Sequence, residues 1–308
     1  MGINILRNFF RGLFDFERSN SKLVAILITP TLILVIGVVL YPLIYSFVVS
    51  FGDVQFSNIK DYNFEGLLQY IKAFTDPEFL NSLKVSASFV FFTVLIKLIL
   101  GTLVAVILKE NFIGRSLARA FIIIPWATPF IVVGLMWKWM LHSSVGVINF
   151  ILFKIGIINE YIPFLSLRTF AMPSVILADV WQGTPFFVIM ILAGLQTIPD
   201  ELYEAARMDG AGGIKSFFYI TLPMVKFPLF ISTILGTIFA INSFDLFFVL
   251  TRGGPGNITT NATLFDWNNA FKFYHLSYSS AISYIILLIA MIITIGYVVI
   301  MRKMSKED

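Results

Sequence analysis

Cysteine is absent from this 308-residue chain, histidine occurs only twice, and charged residues make up 13% of it. Without cysteine there is no thiol nucleophile, no disulfide framework and no thiolate metal site. His142 and His275 alone are too few for an imidazole-ligated metal centre, so no cofactor is expected in this chain. The net charge of +4 is small and scattered, which argues against a nucleic-acid partner. The shortage of charge also excludes an ordinary soluble domain. Soluble chains carry about 25% charged residues and about 45–50% apolar ones, glycine included. Here Ala, Val, Ile, Leu, Met, Phe, Trp, Tyr and Cys already reach 58%, and Phe alone contributes 33 residues. A compact soluble fold needs a polar exterior, so much of this exterior must meet lipid.

A hydrocarbon core of about 30 Å takes roughly 20 apolar residues in a helix, because lipid offers the backbone no hydrogen-bond partner. Six stretches qualify: residues 22–51, 82–108, 116–141, 170–196, 218–250 and 280–301. Pro125 and Pro129 predict a bend in the third. The first is longer than the ~7–15-residue apolar region of a cleaved signal and no A-x-A site follows it. The fold class is therefore an all-α, six-span membrane bundle over 22–301, between tails 1–21 and 302–308.

Lys and Arg set the orientation. One side holds thirteen: Arg7, Arg11, Arg18, Lys22, Lys109, Arg115, Arg119, Arg207, Lys215, Lys226, Arg302, Lys303 and Lys306. The other holds eight, in longer loops, which predicts that both termini are cytoplasmic. Trp137, Trp139, Tyr41 and Tyr45 mark the outer interface. Residues 264–274, rich in aromatics, are expected either to lie flat on the outer leaflet or to form a packed loop. Asn257-Ile258-Thr259 and Asn261-Ala262-Thr263 spell glycosylation acceptors, a pattern common by chance.

Between the fourth and fifth spans, at about 197–217, runs Pro199-Asp200-Glu201-Leu202-Tyr203-Glu204-Ala205-Ala206-Arg207-Met208-Asp209-Gly210. Pro199 suits a first helical turn, the two acids complement the positive helix end, and Gly210 suits a left-handed terminus. The result is a short helix with a small-residue face, read either as a docking element or as a helix lying on the bilayer or on its own bundle.

Glu204-Ala205-Ala206, then Gly210, then Ile220-Thr221-Leu222-Pro223 at fixed spacing resembles the EAA motif of ATP-binding cassette importer permeases. Asp179-Val180-Trp181-Gln182-Gly183-Thr184-Pro185 and Leu250-Thr251-Arg252-Gly253-Gly254-Pro255 are similar to the sugar-importing, maltose-permease-like branch. The chain lacks the large outer insertion of some members; the loop 52–81 is short. The resemblance implies that Glu204, Ala205, Ala206, Asp209 and Gly210 dock a separate ATPase. It also implies a second homologous permease, two ATPase subunits that bind ATP and magnesium, and an extracytoplasmic sugar-binding protein. Gly212-Gly213-Ile214-Lys215-Ser216 lacks the spacing of a phosphate-cradling loop, so hydrolysis is expected in trans and the chain is not expected to be an enzyme.

Lys97, Asp179 and Asp245 fall inside spans. Eleven Leu, Ile, Val and Phe residues from 175 to 195 favour insertion by about 3–7 kcal/mol, and a central Asp returns about 2.5–3.5. Asp179 should therefore face helices or a wet cavity. The resemblance implies a sugar pathway at Trp181 and Gly183, with Asp179, Gln182 and Phe186 sharing the position. It implies further sugar contacts on the fifth span, at Phe239, Ala240, Asn242 and Ser243. For the polar members an interhelical hydrogen bond is the competing role. Lys97 is expected to pair with a carboxylate or a partner subunit. The alternative function is a proton-coupled secondary transporter using Asp179 or Asp245, and a third is a channel or structural subunit.

Overall fold

The computed structural model describes residues 21–55 and 62–304, so the expected tails lie outside it apart from residues 21 and 302–304. Helix α1 (Ser21–Leu34) passes through a π-helical stretch, Val35–Leu40, into α2 (Tyr41–Val49). Pro42 has no N–H to donate, and the wider turn absorbs the missing bond. A small antiparallel hairpin follows, β1 (Gly52–Asp53) with β2 (Asn63–Phe64), in which Gly52 faces Phe64 and Asp53 faces Asn63. Helix α3 (Leu68–Thr75) ends at Asp76, whose carboxylate accepts from the N–H groups of Glu78 and Phe79 and so starts α4 (Pro77–Lys109).

Helices α5 (Arg115–Ala127) and α6 (Phe130–Met140) meet at a 97° bend over Thr128 and Pro129. Then come α7 (Val147–Lys154), the long α8 (Arg168–Leu195) and α9 (Asp200–Met208). Helix α10 (Gly213–Ser216) leads through a π-helical Phe217–Thr221 to α11 (Leu222–Met224). A 67° bend at Val225 separates that group from α12 (Lys226–Ile241). The chain closes with α13 (Asp245–Leu250), α14 (Ala262–Trp267), a π-helical Asn268–Lys272, and α15 (Leu276–Met304).

Among the described residues, four helical stretches are long and apolar enough to cross a membrane, and six if each bent pair counts as one span. The predicted fifth span, 218–250, is too long. Its helix stops at Ile241, and α13 is a separate element packed across α6, where Gly134 leaves room for Val249. Residues 264–274 do not lie flat on a leaflet. Leu264 and Phe265 are buried, Trp267 packs on Phe244 and Phe248, and only the end of the segment (Phe271, Phe273 and Tyr274) is exposed. Asn261 is also buried, with its side chain accepting from the Leu264 N–H, so the second glycosylation pattern is a helix cap.

The core is built on close backbone approach between α4, α8 and α12. A Cβ on Gly101 would stand 2.6 Å from the Phe187 Cβ, and one on Gly236 would strike the Phe187 ring. Small residues are the usual means of bringing helices together in lipid, where no hydrophobic force acts between them. One turn further along the same seam, Lys97 Nζ lies 2.5 Å from the Asp179 carboxylate, with both side chains almost fully buried. Gly183, four residues after Asp179, makes this pair possible. A Cβ there would come within 2.6 Å of Lys97 Cε and 2.7 Å of Nζ.

At the start of α15 the Asp266 carboxylate accepts from the hydroxyls of Ser279 and Ser283, tying α14 to α15. Burial pushes its pKa from 3.8 up to about 6, against the lowering effect of the two hydroxyls.

Removing one member of the Lys97–Asp179 pair should cost about 3–5 kcal/mol, because it strands a buried charge. Asp179→Ala should therefore lower the melting temperature of the detergent-solubilised protein strongly. The double variant Lys97→Met/Asp179→Leu should restore it; a double variant as unstable as the single would refute the pairing as the cause. For Asp266 the raised folded pKa means that the native state keeps its proton while the unfolded state loses it, between about pH 4 and 6. Stability attributable to this group is therefore lost as pH rises through that window. The stability of Asp266→Asn relative to the parent should climb from pH 4 to 6 and then level off in thermal melts.

Candidate functional site

Two regions combine exposure with chemistry. The first is the knob formed by α9. Pro199 precedes it, Asp200 and Glu201 occupy its first turn, and Gly210 beyond its end adopts φ +77°, a value that L side chains resist. No residue of the helix is buried. It is held from one side only: the Tyr203 hydroxyl sits 3.0 Å from Thr221 Oγ1, and the Lys109 ammonium lies 4.0 Å from the Tyr203 ring centre. Lys109 also approaches Asp200 at 3.8 Å. The Leu108 carbonyl at the end of α4 accepts from both Arg115 (2.9 Å) and Arg119 (3.0 Å). A polar cavity of about 680 Å³ lies beneath the knob, reached by Glu204, Arg207 and Lys109.

Glu204, Ala205, Asp209 and Gly210 are all exposed, and Ala206 is half-buried. Met208 is 89% exposed and Ile214 79%, and Phe218 and Tyr219 also stand clear. Large apolar side chains left open on a polar loop mark an interaction surface. All five predicted docking residues lie on this one knob.

The second region is the break between α5 and α6. Trp126 lies about 17 Å along α5, short of the far face of a core about 30 Å thick. The helix ends at Ala127, so the Trp126 carbonyl lacks a helical donor and accepts from Gln182 Nε2 at 3.5 Å. Broken helices survive in lipid where side chains re-satisfy the backbone in this way, and in transporters such breaks mark substrate sites. Around the break stands an aromatic shelf. The Trp126 and Phe186 ring centres are 6.0 Å apart, and those of Phe186 and Phe239 5.7 Å. Trp126 and Phe239 are exposed, the latter by 53%, with Phe186 half-buried between them.

The other predicted pathway residues divide sharply. Asp179 is 3% exposed and committed to Lys97, so it does not face an open route. Ala240 is buried in the core, because it falls on the inner side of α12 while Phe239 falls on the outer. Gln182 is buried, with its amide directed at the Trp126 carbonyl. Trp181 is half-buried edge-on to Trp137, whose indole nitrogen is buried without an acceptor among the described residues. Gly183 makes space for Lys97. Asn242 is exposed one turn beyond Phe239, and its amide donates to the Ile238 carbonyl. The Ser243 carbonyl accepts from Asn261 at 2.5 Å and Thr263 at 2.8 Å, anchoring the start of α14. Asp245 is half-buried at the start of α13. Sequence reasoning missed Trp126, although its place between Pro125 and Pro129 was the available signal.

A family model described as the binding-protein-dependent transport system inner membrane component matches residues 97–306. The trehalose/maltose transport system permease protein of Thermococcus litoralis is 38% identical over 286 residues, covering 92% of this chain and 94% of that protein. The sulfoquinovosyl glycerol transport system permease protein of Agrobacterium fabrum is 34% identical, covering 93% and 92%. Among solved structures, a chain of a bacterial alginate ABC transporter in complex with an alginate pentasaccharide-bound periplasmic protein superposes with a TM-score of 0.80. It is 20% identical, with 94% of this chain and 96% of that one covered, and shows the shared fold. With the family model spanning more than half of the chain and both relatives aligned along nearly all of it, this protein belongs to the binding-protein-dependent inner membrane components, the multi-pass permease subunits of ABC importers.

Proposed function

We propose that this permease moves a sugar toward the cytoplasm by alternating access, with the shelf of Trp126, Phe186 and Phe239 as its midplane platform. The observation that carries this reading is the aromatic surface opening beside a helix break within a span. Aromatic faces stack on the C–H face of a pyranose, and the amide of Asn242 offers hydrogen bonds to its hydroxyls. The trehalose and maltose specificity in the name of the Thermococcus litoralis relative points to the same ligand class.

The partners in this reading are a second homologous permease, two ABC ATPases and an extracytoplasmic binding protein. The alginate transporter, whose title names a sugar-loaded periplasmic protein, supports the last of these. ATP and magnesium belong to the ATPases, which seat on the knob around Glu204 and Gly210. Both termini are cytoplasmic, on the side of α9. ATP shifts the complex by binding its closed ATPase dimer more tightly than the open one. Movement of α9 then passes through Tyr203 to the spans. A proton-coupled carrier finds no support: Asp179 is already paired, and the relatives are ABC permeases.

Glu204→Lys should leave the permease in the membrane and abolish co-purification of the ATPase, with ATP-driven uptake falling at least tenfold. Full capture of the ATPase by this variant would refute the docking assignment. Trp126→Ala should slow uptake of radiolabelled trehalose or maltose into proteoliposomes about tenfold, the scale of one lost aromatic contact. ATPase capture should be unchanged in that variant, and unimpaired uptake of every sugar tried would remove Trp126 from the platform.

A further inference from the structure

Helix α7 and its flanks expose Val145, Val147, Phe150, Ile151, Phe153, Ile155 and Ile157, with Lys154 the sole charge in that stretch. Asn149 holds the helix to its surroundings. It is fully buried, its amide donates to the carbonyls of His142 (3.1 Å) and Ile162 (2.9 Å), and its oxygen accepts from the Ile162 N–H (2.9 Å). The question is what covers the apolar side.

Depth answers it. Helix α5 has 13 residues and α6 has 11. At 1.5 Å per residue these are legs of about 20 and 16 Å, and a 97° bend leaves them only about 24 Å end to end. The two linking residues add at most about 7 Å. Leg α5 starts at Arg115 and Arg119, on the face that carries α9. Even in its steepest orientation the pair therefore ends about where a 30 Å hydrocarbon core ends. Trp139 near the end of α6 is 69% exposed, the placement favoured by an interfacial tryptophan, and it stacks on His142. Helix α7 starts seven residues after Met140, at this same level. Its Lys154 lies 5.8 Å from the Phe150 ring centre, a cation folded back along an apolar face.

We infer that α7 is a membrane anchor, seated in the acyl–headgroup boundary of the leaflet opposite α9, and that it fixes the depth of the α5–α6 break. This assignment rests on the membrane fold and not on the sugar or the ATPase. A span bent by 97° has no straight axis to hold it in register with the bilayer, and an in-plane apolar helix at its end supplies that constraint.

Because the chain has no cysteine, Phe150→Cys, Ile151→Cys and Phe153→Cys each accept a single nitroxide label. The intact complex would be placed in phosphatidylethanolamine–phosphatidylglycerol nanodiscs and its labels probed with oxygen and a water-soluble nickel chelate. Oxygen collisions should exceed nickel collisions severalfold at all three sites. Higher nickel access would place α7 in water, and shielding from both reagents would place it against a second permease or a binding protein; either result overturns the anchor. Val145→Cys, in the preceding loop, gives the same reading should a helix variant fail to assemble.

Discussion

The pairing of Lys97 with Asp179 is the constraint on which the rest of the bundle depends. Two charges in the middle of lipid are tolerable only when each neutralises the other and their hydrogen bonds are made. This pair forms because a glycine at position 183 leaves the lysine stem a channel across α8. The same helix places Phe187 between Gly101 and Gly236, so α4, α8 and α12 are locked together beside the pair. With that frame fixed, Gln182 meets the backbone of the broken α5 and Phe186 meets Trp126. The aromatic shelf thus depends on a polar contact buried within the bundle.

Much of this was legible in the sequence. The knob of α9 was readable residue by residue, since proline, acids and glycine act locally and need no tertiary information. The long spans were readable because hydropathy over some 20 residues outweighs any other signal. The boundary at Ile241 was not, because Phe244 and then Leu246 to Leu250 resume the apolar run beyond Asn242 and Ser243, and only the packing of α13 on α6 ends the span. Nor were the partner of Asp179, 82 residues away, or the inward turn of Ala240 beside the outward Phe239. Those depend on which side of a helix faces which neighbour, and in an all-apolar span the hydrophobic period that would reveal this is nearly absent.

The glycines separate into two kinds, and the distinction bears on how the motif should be read. Gly210 has nothing near its missing Cβ and is required for its left-handed backbone alone. Gly183 sits in a regular helix and is required for space alone. A shared one-letter code thus conceals a chain reversal in one case and a passage for a neighbouring side chain in the other.

Tyr203 is gripped by Lys109 from the end of α4 and by Thr221 from the start of the fifth span. A load applied to α9 is consequently divided at once between two transmembrane levers that diverge from a common pivot. They meet again at the Phe187 ring, where neither can yield without displacing the other.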